Sequence, residues 1–443
     1  MLAIETLSWM DMQRLSERQA LTKTVRQLRI SDAATVRLAQ RLVYETVRRQ
    51  NLIDEFIGKI IKPRTISEFD LGIQAFLRLY VYQTRMAKNR AIVDVKEAEN
   101  IAGLGRSILG WKALKEVEPF LGFLITENMR IVFDGVSDEK RIGFLTYNPL
   151  WFVKYCFRLF GRKESLPLLE ALAQSPPTYV RLNTLQATES RILEQLAKDG
   201  IVLQKVEGLK FAHKVTCTKQ ALAGTESFRK GLIYVQDKAS CYAAEVADPK
   251  PGMAVLDVCA APGAKTTYLA QLVQNCGIIY SLDFSRRRMQ VWKREVARMN
   301  VEAAEPIIAD ARRPLPLSIQ ADVVVLDPPC TSTGAFGKSP SAKWRLTLNS
   351  IENMAEIQWR MINSCADAVK PEGTLVYSTC SVTVEENEMI IERFLKHHAE
   401  FALREVTPKI GLSGFRGLEK CQRLYPHVHE CNGFFIAKLA KQS

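Results

Sequence analysis

The sequence predicts an α/β protein in which a doubly wound, mostly parallel sheet is preceded by an all-helical region and a small α+β connector. Three observations support this prediction. Apolar residues recur at helical spacing up to about residue 135, and strand and helix patterns are mixed over residues 148–248. Over residues 249–443, short apolar strands alternate regularly with helices, which is typical of a parallel sheet with crossover helices.

The region 1–135 reads as several short helices. Apolar residues follow helical spacing over residues 38–47 and again over residues 69–80. Asp32 supplies an N-cap for the first of these helices, because its carboxylate can accept from the free backbone N–H groups of a first turn. Gly103 and Gly105 are predicted to interrupt the helical pattern.

The start of the chain is strongly basic. The whole protein has 61 Lys and Arg against 48 Asp and Glu, which gives a formal net charge of +13. Residues 14–64 alone contain twelve basic and five acidic side chains. A basic helical face that neutralises phosphates explains this pattern, and so does an ordinary solvated helix surface. Both interpretations stay open at this point.

Composition excludes several classes of protein. The chain has 443 residues and 47% hydrophobic content, enough for two or three domains. Its apolar runs are shorter than a membrane span and its N-terminus lacks a signal-peptide pattern, so we expect a soluble, cytoplasmic protein with no membrane partner. Ten cysteines without a Cys-x-x-Cys pair, and only five histidines, predict reduced thiols with neither a disulfide framework nor a metal site.

The connector, residues 148–248, begins with a predicted helix at residues 151–159. A strand over residues 179–183 and a helix over residues 189–197 follow. Gly200 and Gly208 then separate shorter strand-like pieces.

The last region begins with an apolar strand at residues 254–258, a tight loop at 259–265 and a helix at 266–274. Three further predicted strands each end in an aspartate. These are Asp283, Asp310 and Asp327. A helix is predicted over residues 358–369 and a turn over 370–373. Because parallel strands end at one edge of the sheet, where α/β proteins bind ligands, the three acids are expected to lie together.

Two cysteines also lie just beyond strand ends. Cys330 follows the strand that ends in Asp327, and Cys380 follows an apolar strand at residues 374–377. Packing accounts for most buried cysteines. These two differ because they share the functional edge of the sheet with the strand-end acids.

The tight loop after the first strand favours a nucleoside ligand without phosphates. Gly263 is its single glycine, so the loop matches neither the dinucleotide fingerprint nor the P-loop. Asp283 is placed to accept from ribose hydroxyls, and Asp310 could face an adenine edge. This is the arrangement that S-adenosylmethionine requires. Each acid taken alone could be a simple turn residue.

Four segments carry a resemblance to a known family. They are DVCAAPGAKT at 257–266, DPPC at 327–330, YSTCS at 377–381 and EENE at 385–388. Together they resemble the RNA cytosine-5 methyltransferases of the Fmu/Sun (Nol/Nop/Sun) type over roughly residues 148–440. Through residues 44–49 and 69–82 the helical region is similar to the NusB-like RNA-binding domain of the bacterial 16S rRNA methyltransferase B-like branch.

The resemblance implies an enzyme that methylates C5 of cytosine in RNA. The thiol of Cys380 is implied to add to C6, because C5 is too weak a nucleophile to take a methyl group unaided. Cys330 is implied to assist product release, and Asp327 to contact the N3/N4 edge of the base. A free thiol has a pKa of about 8.5 and needs help to ionise. Lys265 is a candidate for that help, or a solvent-facing lysine at a helix start.

The implied cofactor is S-adenosylmethionine, held by the loop after the first strand and the strand-end acids. The implied residues are Cys259, Ala260, Ala261, Pro262, Gly263, Ala264, Lys265, Asp283, Asp310 and Asp327. No metal is implied, and we expect a monomer. RNA is the implied partner, with 16S rRNA preferred because of the NusB-like region and tRNA as the alternative. The target base must be single-stranded or flipped out, and Trp344 and Phe336 either stack on it or fill the core.

Some positions depart from the family pattern. Ala264 stands where a second glycine is usual, and Asn432 replaces a frequent aspartate. Thr331 and Ser332 stand where a Ser-Gly pair is usual. None of these positions is a cysteine or a strand-end acid, so the implied chemistry is unchanged.

Three other classes serve as alternatives. A DNA cytosine methyltransferase also uses a Pro-Cys nucleophile, but it would leave Cys380 without a role. A non-catalytic RNA-binding assembly factor would be expected to have lost a cysteine or a strand-end acid, and all are present. A methyltransferase acting on protein or small molecules would not need paired thiols.

Overall fold

The structure is a computed structural model that describes residues 1–87, 93–315 and 320–443. The chain forms two compact units. The helical unit comprises Met1–Gln174 and Phe336–Arg345, and the sheet unit comprises Ser175–Ala335 and Leu346–Ser443. The domain boundaries predicted near residues 135, 148 and 248 stay predictions.

The helical unit contains twelve of the described α-helices. Their bounds are α1 Leu2–Gln13, α2 Glu17–Gln27, α3 Ala33–Arg48, α4 Gln50–Ile60, α5 Leu71–Val81, α6 Val95–Leu109, α7 Trp111–Leu114, α8 Glu118–Thr126, α9 Asp138–Leu145, α10 Leu150–Phe160, α11 Arg162–Leu172 and, from the later segment, α17 Ala342–Arg345. This confirms the all-helical character predicted for the start of the chain.

The helix α3 forms where the sequence predicts it. The Asp32 carboxylate accepts hydrogen bonds from the backbone N–H groups of Ala34 and Thr35, at 3.3 and 2.7 Å. Val43 and Val47, one turn apart, are both buried. The cap and the apolar stripe therefore act together to fix the start of the helix and the face that it buries.

The helix α6 corrects one prediction, because Gly103 and Gly105 lie inside it and do not interrupt it. A Cβ atom at Gly105 would come within 2.4 Å of the ring of Phe76 on α5. The close packing of these two helices requires a residue without a side chain at that point. Helix packing therefore outweighs the low helix propensity of glycine.

The segment Phe336–Arg345 contributes to the core of the helical unit. The ring of Phe336 is fully buried and lies 5.0 Å, centre to centre, from the ring of Phe152. The indole N–H of Trp344 donates to the carbonyl of Val47 at 2.7 Å. These are the contacts of core side chains, so packing is the role that the structure gives to both aromatic residues.

Most basic side chains of residues 14–64 lie on the surface of the helical unit. The exposed ones are Arg14, Arg18, Arg26, Arg29, Arg37, Arg41, Lys62 and Arg64. Arg48 is different, because it is buried, pairs with Glu45 at 3.2 Å and donates to the carbonyl of Gly337 at 3.0 Å. Arg48 therefore anchors the later segment and is not part of the basic surface.

The sheet unit begins with a small antiparallel sheet in the order β2-β3-β1-β4. Its strands are β1 Tyr179–Leu182, β2 Ile201–Lys205, β3 Ala212–Thr218 and β4 Ile233–Val235, and the nearby helices are α12 Glu189–Lys198, α13 Glu226–Arg229 and α14 Lys238–Ala247. The buried Arg181 of β1 donates to Gln271 at 3.2 Å and to Thr267 at 2.8 Å, both on helix α15, Ala264–Leu272. Strands and helices are mixed in this region, as the sequence predicts.

The main sheet has nine strands, in the order β11-β12-β13-β9-β8-β5-β6-β7, with β10 paired to β13. Strand bounds are β5 Ala254–Val258, β6 Ile278–Asp283, β7 Ala304–Ile308, β8 Ala321–Leu326, β9 Val369–Thr379, β10 Phe401–Arg404, β11 Leu412–Ser413, β12 Gln422–Leu424 and β13 Phe434–Lys441. Further helices are α16 Arg286–Arg298, α18 Leu348–Ala366, α19 Glu388–His397 and α20 Pro426–His429. Strands β5 to β9 pair in parallel, and β10 to β13 add antiparallel pairs at one side. The predicted fold class is confirmed, with a mixed sheet.

The strand register brings three carboxyl ends level. Val258 of β5 lies opposite Leu326 of β8, and Leu326 lies opposite Tyr377 of β9. The loop after β5, the residue Asp327 and the end of β9 therefore start from the same edge of the sheet. This edge is where the predicted site residues converge.

Strand β9 corrects a second prediction. It begins at Val369 and includes residues 370–373, which the sequence predicts as a turn. Its register against β8 shifts in this stretch, and Glu372 has a φ of 62°. The turn residues therefore form a bulge within a longer strand. The helix before it, α18, starts at Leu348 and ends at Ala366, so it is both earlier and longer than predicted.

Within residues 1–87, 93–315 and 320–443, no helix has the length and apolar content that crossing a bilayer requires. The same residues contain no group of three or more His, Cys, Asp or Glu side chains that could hold a metal ion.

Candidate active site

The loop after β5 is held against the end of β6. The backbone N–H of Ala260 donates to the carbonyl of Leu282 at 2.9 Å, and that of Ala261 donates to the carboxylate of Asp283 at 3.3 Å. Gly263 caps helix α15 with a φ of 113°, a conformation that favours glycine. The loop after β5 forms one wall of the site. Its backbone is held by hydrogen bonds to the end of β6 and continues directly into helix α15.

A cavity of about 570 Å³ opens at this edge of the sheet. That volume suits a small-molecule ligand. The predicted site residues that line it are Cys259, Ala261, Pro262, Asp283, Asp310, Asp327, Cys330 and Cys380. Among the residues that the structure describes, four further predicted site residues do not line the cavity. They are Ala260, Gly263, Ala264 and Lys265. The structure thus gathers residues from the ends of several strands around one cavity.

Asp283 is the buried acid of this cavity, with 2% of its surface exposed. Its carboxylate accepts from the backbone N–H of Ser285 at 2.9 Å and pairs with Arg288 at 3.1 Å. The guanidinium of Arg288 also donates to the carbonyl of Ala261. The acid that should face the ribose is therefore fixed by both loops that border the cavity.

Asp310 lies on a more exposed part of the lining. It pairs with Arg312 at 2.7 Å, and these hydrogen bonds lower the pKa of Asp310 to about 2. Its carboxylate is therefore ionised at neutral pH. The lining also includes apolar side chains, among them the exposed ring of Phe284 and the side chains of Ile357 and Met361. Apolar side chains together with two acids suit an adenosine group.

Asp327, which is partly exposed, forms an ion pair with the buried Lys265. Oδ2 of Asp327 lies 2.5 Å from Nζ of Lys265, and the Ser378 hydroxyl donates to Oδ1 at 3.4 Å. Burial lowers the pKa of Lys265, but the Asp327 carboxylate outweighs burial and raises it. Lys265 is 7% exposed, so the solvent-facing alternative is wrong. Its positive charge is held next to Asp327.

The two predicted thiols lie in contact. Sγ of Cys330 is 3.2 Å from Sγ of Cys380. The hydrogen bond from Cys330 lowers the pKa of Cys380, although burial acts in the opposite direction. The same hydrogen bond, together with burial, raises the pKa of Cys330 well above its usual value. The opposite directions of these pKa shifts favour Cys380 as the thiol of the pair that ionises more readily.

Glu386 joins the loops that carry the two cysteines. One carboxylate oxygen accepts from the backbone N–H of Thr331 at 2.8 Å and from the amide of Gln358 at 2.9 Å. The other accepts from the hydroxyls of Thr331, Ser381 at 2.6 Å and Thr383 at 2.8 Å. Thr331 follows Cys330 and Ser381 follows Cys380, so one buried carboxylate fixes both thiol-bearing loops.

Backbone contacts bring the same two loops together. The N–H of Gly334 donates to the carbonyl of Cys380 at 3.0 Å, and the N–H of Gly433 donates to the carbonyl of Gly334 at 2.8 Å. A Cβ atom at Gly334 would come within 2.1 Å of the Gly433 carbonyl oxygen. Both positions therefore need glycine for the backbones to approach.

Sequence reasoning missed the role of Glu386 and cited it only as part of a motif. A signal was present, because acidic residues at 385, 386 and 388 are followed by the apolar start of a helix. Carboxylates in such a stretch are buried only when donors surround them. The arginines at 288 and 312, which hold the two cavity acids, gave no comparable signal.

Three protein-family models match the chain. Residues 244–440 match the model for the 16S rRNA methyltransferase RsmB/F. Residues 148–216 match the ferredoxin-like domain of the RsmF/B-like methyltransferases, and residues 1–104 match the NusB family.

Individual relatives agree with these models. The "Probable ribosomal RNA small subunit methyltransferase B" of Bacillus subtilis is 28% identical and covers 100% of this chain and 98% of the relative. The tRNA (cytosine(72)-C(5))-methyltransferase of Pyrococcus horikoshii is 38% identical over 50% of this chain and 55% of its own.

Solved structures extend the similarity to three dimensions. The crystal structure of PH0851 is 30% identical, with a TM-score of 0.85 over 99% of this chain and 98% of its own. The structure of NSun6 from Pyrococcus horikoshii with SFG, an S-adenosylmethionine analogue, is 27% identical, with a TM-score of 0.61 over 67% of this chain and 98% of its own.

Fold, site and relatives together define an RNA methyltransferase that uses S-adenosylmethionine. The predicted activity class and cofactor are confirmed. The chain belongs to the RsmB/F family of 16S rRNA methyltransferases.

The residues of the cavity fit this cofactor. The carboxylate of Asp283 would suit ribose hydroxyls as hydrogen-bond donors, and the apolar side chains of the lining would suit an adenine ring. The loop after β5 lacks the glycine pattern of a phosphate site, in keeping with a nucleoside that has no phosphates.

Proposed function

We propose that this enzyme methylates C5 of a cytosine in 16S rRNA through a covalent bond between Cys380 and C6 of the base. The observation that carries the proposal is the contact of two thiols, 3.2 Å apart, at the edge of a cavity that also contains Asp327. A methyltransferase that acts on a nucleophilic substrate atom needs no thiol, whereas C5 of cytosine must first be activated.

Cys380 is the nucleophile in this proposal. As a thiolate, its sulfur bonds to C6 and pushes electron density onto C5. Asp327 holds the N3/N4 edge of the cytosine and favours protonation at N3, which makes C6 more electrophilic. Lys265 keeps the Asp327 carboxylate in place through their 2.5 Å contact. When bound, S-adenosylmethionine supplies the electrophilic methyl group that C5 takes up.

Cys330 acts at the end of the reaction. The C5 proton passes to solvent, the electron pair of its bond forms the C5–C6 double bond, and the bond from C6 to Cys380 breaks with its electron pair left on sulfur. The departing sulfur carries negative charge, and the thiol of Cys330 is positioned to donate a hydrogen bond to it. This assistance is the reason for two cysteines in place of one.

The choice of 16S rRNA rests on the helical unit and the relatives. Residues 1–104 match the NusB family, and that unit exposes basic side chains suited to a phosphate backbone. The Bacillus subtilis relative is named for the small-subunit rRNA. A tRNA substrate is the second candidate, because the 38% identical relative is named for tRNA. With either RNA the enzyme would act in the cytoplasm, and we expect it to work as a monomer without a metal.

Cysteine variants test the separate roles proposed for Cys380 in attack and for Cys330 in release. We expect Cys380→Ala to abolish both methyl transfer and any covalent RNA adduct, because the attacking atom is gone. Cys330→Ala should accumulate the adduct, because attachment remains possible and release does not. Adducts are measured by denaturing gel shift, and turnover by tritium release from C5-labelled cytidine in 16S rRNA.

The exposed Cys217 provides a matched control, and Cys217→Ala should behave as the unaltered enzyme. An adduct in Cys380→Ala that is absent in Cys330→Ala would show that the two roles are reversed. Absence of tritium release from every RNA offered would reject the reaction itself. Bisulfite sequencing of rRNA and tRNA from cells that lack the protein would then identify the substrate by the methylcytidine that is lost.

A further inference from the structure

Ser332 adopts a backbone conformation that residues with a side chain rarely occupy. Its φ is 55°, in the left-handed region. Glycine would occupy this region without strain. A side chain that is kept in a strained position points to a use for that side chain.

The hydroxyl of Ser332 lies against both thiols. Its Oγ is 3.3 Å from Sγ of Cys380 and 3.8 Å from Sγ of Cys330. It is also 3.5 Å from the backbone carbonyl of Cys330. A hydroxyl can donate and accept, so it can serve the neutral thiol of Cys380 as an acceptor and the thiolate as a donor.

The charges around Cys380 make such a donor useful. Asp327 and Glu386 face the sulfur and oppose its ionisation, and burial acts in the same direction. Lys265 is the facing cation, but it is already paired with Asp327. A thiolate in these surroundings needs hydrogen-bond donors, and two groups that can donate lie within reach. They are the thiol of Cys330 and the hydroxyl of Ser332, which in the structure accepts from the neutral Cys380 thiol.

We infer that Ser332 is a further catalytic residue, whose hydroxyl donates a hydrogen bond to the ionised sulfur of Cys380. The inference rests on the proposed role of Cys380 as nucleophile. The Ser332 hydroxyl turns from the carbonyl of Cys330 towards Cys380 when that thiol loses its proton. The Ser332 hydroxyl can then donate to the sulfur of Cys380 before that sulfur attacks C6. It can donate again when the bond between C6 and the sulfur breaks.

Alkylation of Cys380 as a function of pH tests this inference without RNA. The rate of reaction with iodoacetamide follows the thiolate fraction, and peptide mapping by mass spectrometry isolates Cys380 from the other cysteines. We expect Ser332→Ala to raise the measured pKa of Cys380 by about one, and to slow its alkylation at pH 7 by about tenfold. The rates should converge at high pH, where every variant is fully ionised.

A second variant separates the hydroxyl from backbone strain. Ser332→Gly also lacks the hydroxyl but relieves the left-handed strain, so it should fold at least as well as the unaltered enzyme. We expect the same alkylation profile in Ser332→Gly and Ser332→Ala. As a control, Ser364→Ala removes a hydroxyl that donates only to the carbonyl of Arg360 in its own helix, and the profile of Cys380 should not change.

Two outcomes would overturn the inference. One is an unchanged Cys380 profile in Ser332→Gly, and the other is a change in Ser332→Ala that Ser332→Gly does not share. The proposed function is judged separately, by the RNA adduct of the Cys380→Ala variant. A failure of that function and a failure of the Ser332 inference are therefore distinguishable.

Discussion

The two thiols have similar sequence contexts, but their pKa values are shifted in opposite directions. Their contact at 3.2 Å lowers the pKa of Cys380 and raises that of Cys330. The sequence predicts both cysteines at strand ends. It does not predict this asymmetry, because the asymmetry depends on the hydrogen bond between the two sulfur atoms and on the contact of Ser332 with Cys380.

The pH dependence of adduct formation tests the asymmetry. Because the thiolate reacts, the rate of adduct formation should rise with pH up to the pKa of Cys380 and then level off. Cys330→Ala removes the donor that lowers this pKa. The pH dependence of adduct formation in this variant should therefore move to higher pH by about one pH unit. Single-turnover adduct formation between pH 6 and 10 measures the shift.

At neutral pH the Cys330→Ala adduct should thus form more slowly than in the unaltered enzyme, although it then persists. Cys217→Ala should leave the profile unchanged. A profile that does not move, or that moves to lower pH, would show that Cys330 is not the donor to Cys380.

At the scale of elements, the site depends on two loops that a single carboxylate joins. Glu386 accepts from Thr331 beside one cysteine and from Ser381 beside the other. Three loop hydroxyls can rotate to suit their partner, but the N–H of Thr331 and the amide of Gln358 can only donate. The two oxygens of Glu386 are therefore not equivalent.

This difference predicts unequal effects of two substitutions at Glu386. Glu386→Gln can keep a carbonyl oxygen towards the obligatory donors while the hydroxyls turn to accept, so it should cost about 1 to 2 kcal/mol of unfolding free energy. Glu386→Ala leaves buried donors without partners and should cost about 3 to 5 kcal/mol. Urea unfolding of both variants measures these costs.

Single-turnover methyl transfer should fall more in Glu386→Ala than in Glu386→Gln, because the thiols are no longer held in contact. Equal losses of stability in the two variants would contradict the conclusion that Glu386 joins the two loops through buried hydrogen bonds.

Elements themselves were largely predictable from sequence, and the exceptions share a cause. The strand β8 and the ends of β6 and β9 follow from local apolar runs and the acids or polar residues that end them. Gly105 inside α6 and the bulge at residues 370–373 do not, because each depends on a partner distant in sequence, the ring of Phe76 or the register of β8. The sequence did not predict that Glu386 joins the two cysteine-bearing loops, because its partners include residues that are distant in sequence.

At the scale of the whole molecule, the chain passes between the two units more than once. The helical unit takes its last segment, Phe336–Arg345, from the loop that begins just after Cys330. Fully buried Phe336 and Lys343 belong to that segment. No local sequence pattern predicts that Phe336–Arg345 belongs to the helical unit, because the apolar residues of the segment would suit either unit.

A fragment of residues 175–443 should therefore be impaired even though it contains every proposed site residue. Without residues 1–174, the side chains of Phe336 and Trp344 lose the core in which they pack. We expect the fragment to bind an apolar dye and to self-associate, as measured by fluorescence and by size-exclusion chromatography.

Replacing Phe336 and Trp344 by polar residues in the same fragment provides the matched comparison, and dye binding should then decrease. A monomeric fragment that binds no dye would show that the segment does not depend on the helical unit.

The origin of Phe336–Arg345 also sets an order of events during synthesis of the protein. The first 174 residues leave the ribosome long before residue 345, with about 170 residues between them. At synthesis rates of roughly 5 to 20 residues per second, the helical unit waits for about 10 to 30 s before its last segment arrives. During that interval the unit is incomplete, and the buried positions that later hold Phe336, Lys343 and Trp344 are open to chaperones. The helical unit is thus finished only after Cys330, the first of the two site cysteines, has been made.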